Sequence, residues 1–174
     1  MQQVIYLCGP MTGLTPEQAS AWREEATAKL TPQGFICASP MRVEGKLLKP
    51  GQTMAGLEDT DEPALQGPAI YWRDMYDLEQ TNILFCNLND VPLGPCIGSV
   101  YEIGFCDALR PRPARIVVAR KDSPFRRHPM ITTKADAVFE ELDPAYDFII
   151  ANFGLFNVPP VTVISPSEPA SHAY

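Results

Sequence analysis

Histidine is nearly missing: the 174 residues hold two, neither at metal-ligand spacing from a cysteine, so a structural zinc site is not expected. Cysteine is sparse and unpaired. The five thiols (Cys8, Cys37, Cys86, Cys96, Cys106) are odd in number, form no CxxC and sit mostly inside apolar runs, which indicates buried thiols in a reducing compartment, not a disulfide framework. No apolar run approaches the roughly 18 residues that cross a bilayer, and no n-region with a cleavable apolar segment opens the chain. The expectation is a cytoplasmic protein with no membrane partner. Basic charge is also short, with 14 Lys and Arg against 21 Asp and Glu and a net charge of −7. That balance argues against a nucleic-acid polymer or an anionic surface, both of which reward a basic face. A small neutral ligand suits it better, and nothing calls for a metal or cofactor. The local exception is residues 109–127, "LRPRPARIVVARKDSPFRR", whose arginines either form a solvated rim or meet a phosphate.

What is present organises one domain. The chain is 45% hydrophobic, enough for a single full core at this length. "QQVIYLCGP" reads as a buried first strand stopped by Gly9 and Pro10. Thr15 as N-cap, Pro16 in the first turn and Gln18 as capping-box partner open a helix with Ala19, Trp22, Ala26 and Leu30 on one stripe. "FICASP" is a second strand, and residues 41–68 read as a long loop with neither period. A helix over "AIYWRDMYDLEQT" leads into the central strand "NILFCNL". A further helix follows, then the strand "RIVVAR", a loop through "KDSPFRRHPMITTKA", a weak fifth strand "DAVFEEL" and a helix from about Pro144. Strands alternating with helices predict α/β architecture: one doubly wound, Rossmann- or flavodoxin-like parallel sheet of about five strands with helices on both faces. The domain is expected over 1–152, with a Pro-rich C-terminal arm over 153–174. Ligands of such sheets bind beyond the carboxyl ends of the strands, where the loops after the first, third and fourth strands converge.

One of those loops runs into "GPCIGSVYEIGFCDAL", residues 94–109. Ser99 and Glu102 match a capping box, with the serine capping and the glutamate reaching back. The same carboxylate, placed in a first helical turn at the switch point, can instead attack an electrophilic carbon. Spacing does not separate the two.

"VIYLCGPMTG", "RDMYDLEQTNILFCNL", "GSVYEIGFCDAL" and "RRHPMITTKADAVFEELDPA", in that order, resemble the nucleoside 2-deoxyribosyltransferase family. The likeness covers most of the chain outside residues 41–68 and the tail. It implies a retaining two-step transfer in which Glu102 attacks C1′ of a 2′-deoxynucleoside, releases the base and passes the sugar to a second base. It also implies that Asp74 exchanges a proton with the base, eight residues before Asn82, where many members carry a second aspartate. Asp77, one turn on, competes for that role, and either can be a solvated helix charge. Tyr6 matches a tyrosine that holds the nucleophile, against the alternative of a plain core tyrosine. Gly9, Pro10, Gly98 and Ser99 fall in the matching substrate loops. His128, where many members have asparagine, and Met130 match a loop lent by the neighbouring subunit, so a homodimer or higher oligomer with shared sites is implied. A lone loop histidine is otherwise simply exposed. Cys96 stands where such transferases often carry an aspartate near the base, and Asp90 is the nearest carboxylate upstream. The chain ends in Tyr174, and in the family a C-terminal carboxylate can reach a neighbouring site. The partners implied are deoxynucleosides and free nucleobases. Two other functions compete: hydrolysis of deoxynucleoside 5′-monophosphates, with Arg126 and Arg127 clamping the phosphate, and a non-catalytic nucleotide-binding module on the same fold.

Overall fold

The computed structural model describes residues 2–48, 52–53, 60–89 and 96–155. Five strands, β1 (Val4–Cys8), β2 (Ile36–Ala38), β3 (Ile83–Asn87), β4 (Ala114–Val118) and β5 (Ala137–Phe139), form one all-parallel sheet in the order β2-β1-β3-β4-β5. Parallel neighbours cannot be joined by tight hairpins, so helices make the crossovers. These are α1 (Pro16–Leu30), α2 (Met41–Leu47), α3 (Gly67–Glu79), α4 (Ile97–Ala108), α5 (Pro124–Arg127), α6 (Pro129–Thr132) and α7 (Leu142–Phe153). The predicted doubly wound α/β fold is the one observed.

Strand alternation divides the core in two. Ile5 and Leu7 of β1 point with Phe85 and Ile116 toward α1 and α7, where Trp22, Ala26, Leu30, Tyr146 and Ile149 close the layer. Tyr6 and Cys8 point the other way with Leu84, Cys86 and Val117, under Met75 and Leu78 of α3, Ile103 and Cys106 of α4 and Ile131 of α6. The predicted α1 stripe is buried, and its capping box forms: Gln18 N donates to Thr15 Oγ1 (3.3 Å) and Thr15 N donates to Gln18 Oε1 (2.9 Å).

Three boundaries differ from expectation. Residues 41–68 are not one irregular loop. Helix α2, a 3-10 turn over Pro63–Leu65 and the start of α3 lie within them, because Met41, Leu48 and Leu65 bury against Ala19 in a small third core that local periodicity does not reveal. The expected loop after β4 contains α5 and α6, each opened by a side-chain cap, Ser123 and His128, with proline in its first turn. Phe153 belongs to the core and not to an arm: it ends α7 and packs on the α7 layer, its ring 6.4 Å from that of Phe148. The rest of the expected arm, from residue 156 and including Tyr174, lies outside the described residues.

The winding reverses between β1 and β3, since the chain passes from β1 out to β2 and then returns to build β3, β4 and β5 on the opposite side. The two strand ends meet closely at Gly9. A Cβ there would stand 2.9 Å from the Asn87 carbonyl oxygen and 2.9 Å from the Trp22 ring, so only glycine lets the chain leave β1 at this spot.

Candidate active site

Glu102 lies on the face of α4 formed by Ser99, Glu102, Ile103 and Cys106, all buried at the i, i+3, i+4, i+7 spacing that packs a helix on a sheet. The expected capping box between Ser99 and Glu102 does not form. Helix α4 begins at Ile97 after an N-cap at Cys96 that makes no side-chain cap bond. Ser99 is therefore the third helical residue, and Glu102 falls in the second turn, beyond reach of the orphan N–H groups at the helix start. Its carboxylate instead turns inward, 7% exposed, and Oε1 accepts a 2.8 Å hydrogen bond from the Tyr6 hydroxyl.

Tyr6 and Cys8 share a face of β1 and support the same acid. The Cys8 thiol sits 3.2 Å from Cys86 Sγ, its in-register neighbour on β3, and 3.8 Å from the Ser99 carbonyl oxygen. Burial pushes Glu102 above the ordinary carboxylate range, while Cys8, Tyr6 and the Arg23 guanidinium act against that rise. Burial, reinforced by the Glu102 charge, pushes the Tyr6 phenol far up, so it remains a donor.

Asp74 is the second buried acid, 6% exposed on α3 beside Met75 and Leu78. Its Oδ1 is buried without a hydrogen-bond partner, an unmet valence that a protonated carboxyl or a ligand can fill. Burial, then repulsion from Glu102, raises its pKa to about 8, with Arg73 alone among the leading contributors opposing. Arg73 is committed elsewhere: it pairs with buried Glu44 of α2 and donates to the Ala64 carbonyl (3.1 Å), which pins α2 and the 3-10 turn beside Asp74. Asp77, one turn on, is engaged by Arg42.

Other expected residues take varied places. Gly9 and Pro10 are buried at the end of β1. Gly98 is exposed in the first turn of α4, and among the described residues outside its own turn no atom lies within 4 Å of where its Cβ would stand. Asn82 has a structural role: its Oδ1 accepts from Val4 N (2.8 Å) and its own N donates to the Val4 carbonyl (2.9 Å), aligning β3 with β1. His128 is exposed and caps α6, its Nδ1 accepting from Met130 N (3.3 Å), while Met130 is 75% exposed. Neither hydrogen-bonds to Glu102, Tyr6 or Asp74. Arg126 donates to the Ala119 carbonyl (3.1 Å) and lies 3.8 Å from Glu140. Asp90 lies outside the described residues.

Cys8, Arg23 and Glu44 were not singled out in the sequence, although two of them carried a signal. Cys8 shares the strand parity of Tyr6, and Arg23 interrupts the apolar stripe of α1 with a charge that has no reason to face a core. Among the described residues no group of three or more His, Cys, Asp or Glu could hold a metal ion, and no helix is long and apolar enough to cross a membrane. What remains is a pair of buried carboxyls, one held by a phenol and one raised to about 8 with an oxygen that has no hydrogen-bond partner. Such pairs divide into acid and base or nucleophile. No protein-family model matches the sequence, and no curated protein matches it.

Proposed function

We propose that this protein is a nucleoside 2-deoxyribosyltransferase that moves 2-deoxyribose between nucleobases by retaining double displacement. The observation that carries the reading is the inward turn of Glu102 onto Tyr6, away from any capping geometry and facing a second buried acid. In the first step the Glu102 carboxylate attacks C1′ and forms a glycosyl ester. The C1′–N bond breaks, and the departing base takes the Asp74 proton. In the second step an incoming base attacks C1′, loses its proton to Asp74 and frees Glu102. A carboxylate on one side of the oxocarbenium-like centre and a proton donor for the leaving group is the general requirement of retaining glycosyl transfer. The Tyr6 hydroxyl orients the attacking oxygen and stays protonated throughout.

Deoxyinosine mixed with adenine should yield deoxyadenosine and hypoxanthine. Free deoxyribose in place of deoxyadenosine would mark a hydrolase, and no conversion would mark a binding module. The hydrolase reading gains nothing from Arg126, whose guanidinium is already engaged by the Ala119 carbonyl and Glu140.

The assembly proposed is a homodimer or larger oligomer in which the 128–130 loop serves the neighbour's site. Its support is that His128 and Met130 reach outward, and that Trp72, Tyr76, Ile97 and Tyr101 are exposed on α3 and α4, on the side of the sheet that carries Glu102. An apolar surface of this kind commonly marks a protein contact. A Glu102→Gln chain and a chain altered at both His128 and Met130 should each be nearly inactive. After reassembly together, about half of the dimers are mixed and each has one intact site, so activity should return to roughly a quarter of wild type. Mixed dimers verified by native mass spectrometry yet still inactive would rule out shared sites.

A further inference from the structure

Among the described residues, Arg23 is a buried cation with no anion at bonding distance. It is 1% exposed on α1, and it donates Nε to the Leu7 carbonyl (3.0 Å), Nη2 to the Gly9 carbonyl (2.8 Å) and Nη1 to the Ala19 carbonyl. Its Cζ lies 4.7 Å from the centre of the Trp22 ring. Among the described residues no carboxylate forms a salt bridge with it. A guanidinium enclosed by neutral acceptors is costly unless an opposite charge nearby offsets the loss of water. Glu102 is its mirror case, a buried carboxylate held by a neutral phenol. Both charges lean on the end of one strand: Tyr6 of β1 donates to Glu102, and the carbonyls of Leu7 and Gly9 accept from Arg23.

We propose that Arg23 is a positioning residue of the site, which fixes the turn after β1 and supplies the counter-charge that keeps the Glu102 carboxylate ionised inside the protein. The inference rests on the transferase reading for what Glu102 does, but not for its charge state. Among the described residues, the titratable groups that act on or feel Glu102 are Tyr6 and Cys8 from β1, Asp74 from α3, and Cys96 and Cys106 from its own helix and N-cap, with Cys86 of β3 set against Cys8. None of these carries positive charge at neutral pH, so Arg23 is the cation of the set. Burial lowers the Arg23 pKa and raises that of Glu102, and each charge works against the other's shift.

Nuclear magnetic resonance titration of isotope-labelled glutamate Cδ, with the Glu102 signal identified by its loss in Glu102→Gln, reads this charge directly. Arg23→Gln keeps hydrogen-bonding capacity and loses the charge, so the Glu102 midpoint should rise by about half to one pH unit, the lower edge of what an opposite charge does. The acid limb of kcat/KM should move up with it. Arg23→Lys keeps the charge without the fork and should restore a midpoint close to wild type. An unmoved midpoint in folded Arg23→Gln would sink the proposal, as would a rise in Arg23→Lys equal to that in Arg23→Gln. If Arg23→Gln does not fold, the wild-type protein decides. Its Arg23 Nε–H signal should follow the Glu102 titration and become invariant in Glu102→Gln, and invariance in the wild type overturns the coupling. A chain that binds nucleoside without exchanging bases defeats the transferase reading while leaving these titrations standing. An active enzyme with uncoupled signals defeats only the role of Arg23.

Discussion

Glu102→Gln is expected to fold normally and to lose base exchange by roughly 10³–10⁶-fold, the range seen when a nucleophile is removed from a site that still binds substrate. The amide keeps an oxygen for the Tyr6 hydroxyl, so the 2.8 Å contact between α4 and β1 survives. It cannot form the glycosyl ester. Since Glu102 lies in the second turn of α4 and caps nothing, the about 0.5–2 kcal/mol that a lost cap costs should be absent from urea denaturation. Removing a buried charge also relieves Asp74, whose pKa is raised in part by Glu102, so Asp74 should titrate lower in this variant. Mass spectrometry of wild-type protein with a deoxynucleoside alone should trap the sugar on the peptide that contains Glu102, and the variant should show none. Near-normal exchange by a folded Glu102→Gln protein would remove Glu102 from the chemistry altogether.

Asp74→Asn carries the second large effect. Purine and pyrimidine leaving groups need a proton and a nitrophenolate does not, so the variant should slow natural substrates by about 10²–10⁴-fold and a nitrophenyl deoxyriboside far less. Equal slowing of both would assign Asp74 to the sugar or the fold. Wild-type exchange should fall as pH rises through about 8, where Asp74 loses its proton, and this limb should vanish from the residual activity of the variant. Stability must follow the same group. A carboxyl whose pKa rises from 3.8 to about 8 on folding binds more protons folded than unfolded between those values. Its stabilising contribution is complete below pH 4 and is lost as pH climbs toward and through 8, at up to about 1.4 kcal/mol per pH unit. Asp74→Asn should therefore be more stable than wild type at pH 9, by on the order of a few kcal/mol, and the gap should close in acid. Acids retained at a stability cost are common where a site needs them. A variant with the wild-type dependence of stability on pH would show that Asp74 is not the protonated group.

The strand-and-helix order, the parallel sheet and the two-faced core were legible in the sequence because they rest on short-range signals. The apolar runs of β1, β3 and β4 bury on both faces, and the Thr15 box and the Ala19–Trp22–Ala26–Leu30 stripe set α1 with contacts no more than a few turns apart. The same local rules placed Glu102 at a helix start, since Ser99 and Glu102 satisfy the capping spacing whether or not the helix begins there. Packing of Ser99, Ile103 and Cys106 on the sheet starts α4 three residues earlier and turns the carboxylate inward. Spacing alone does not separate Asp74 from Asp77, and the resemblance favours Asp74; in the fold Arg42 of α2 takes Asp77 while Asp74 is buried with Oδ1 unpartnered. The small core beneath α2 was unreadable for the same reason, as its partners come from α1, α2 and the 3-10 turn. By itself, then, the sequence determined the elements, their order and the residue types available for chemistry. Only the tertiary structure decided which carboxyls are buried, which one meets a phenol 96 positions away and which lies on the far side of β1 from a cation. The ionisation of an acid depends on every dipole and charge that folding brings near it, and those neighbours are set by packing between segments that no local pattern connects.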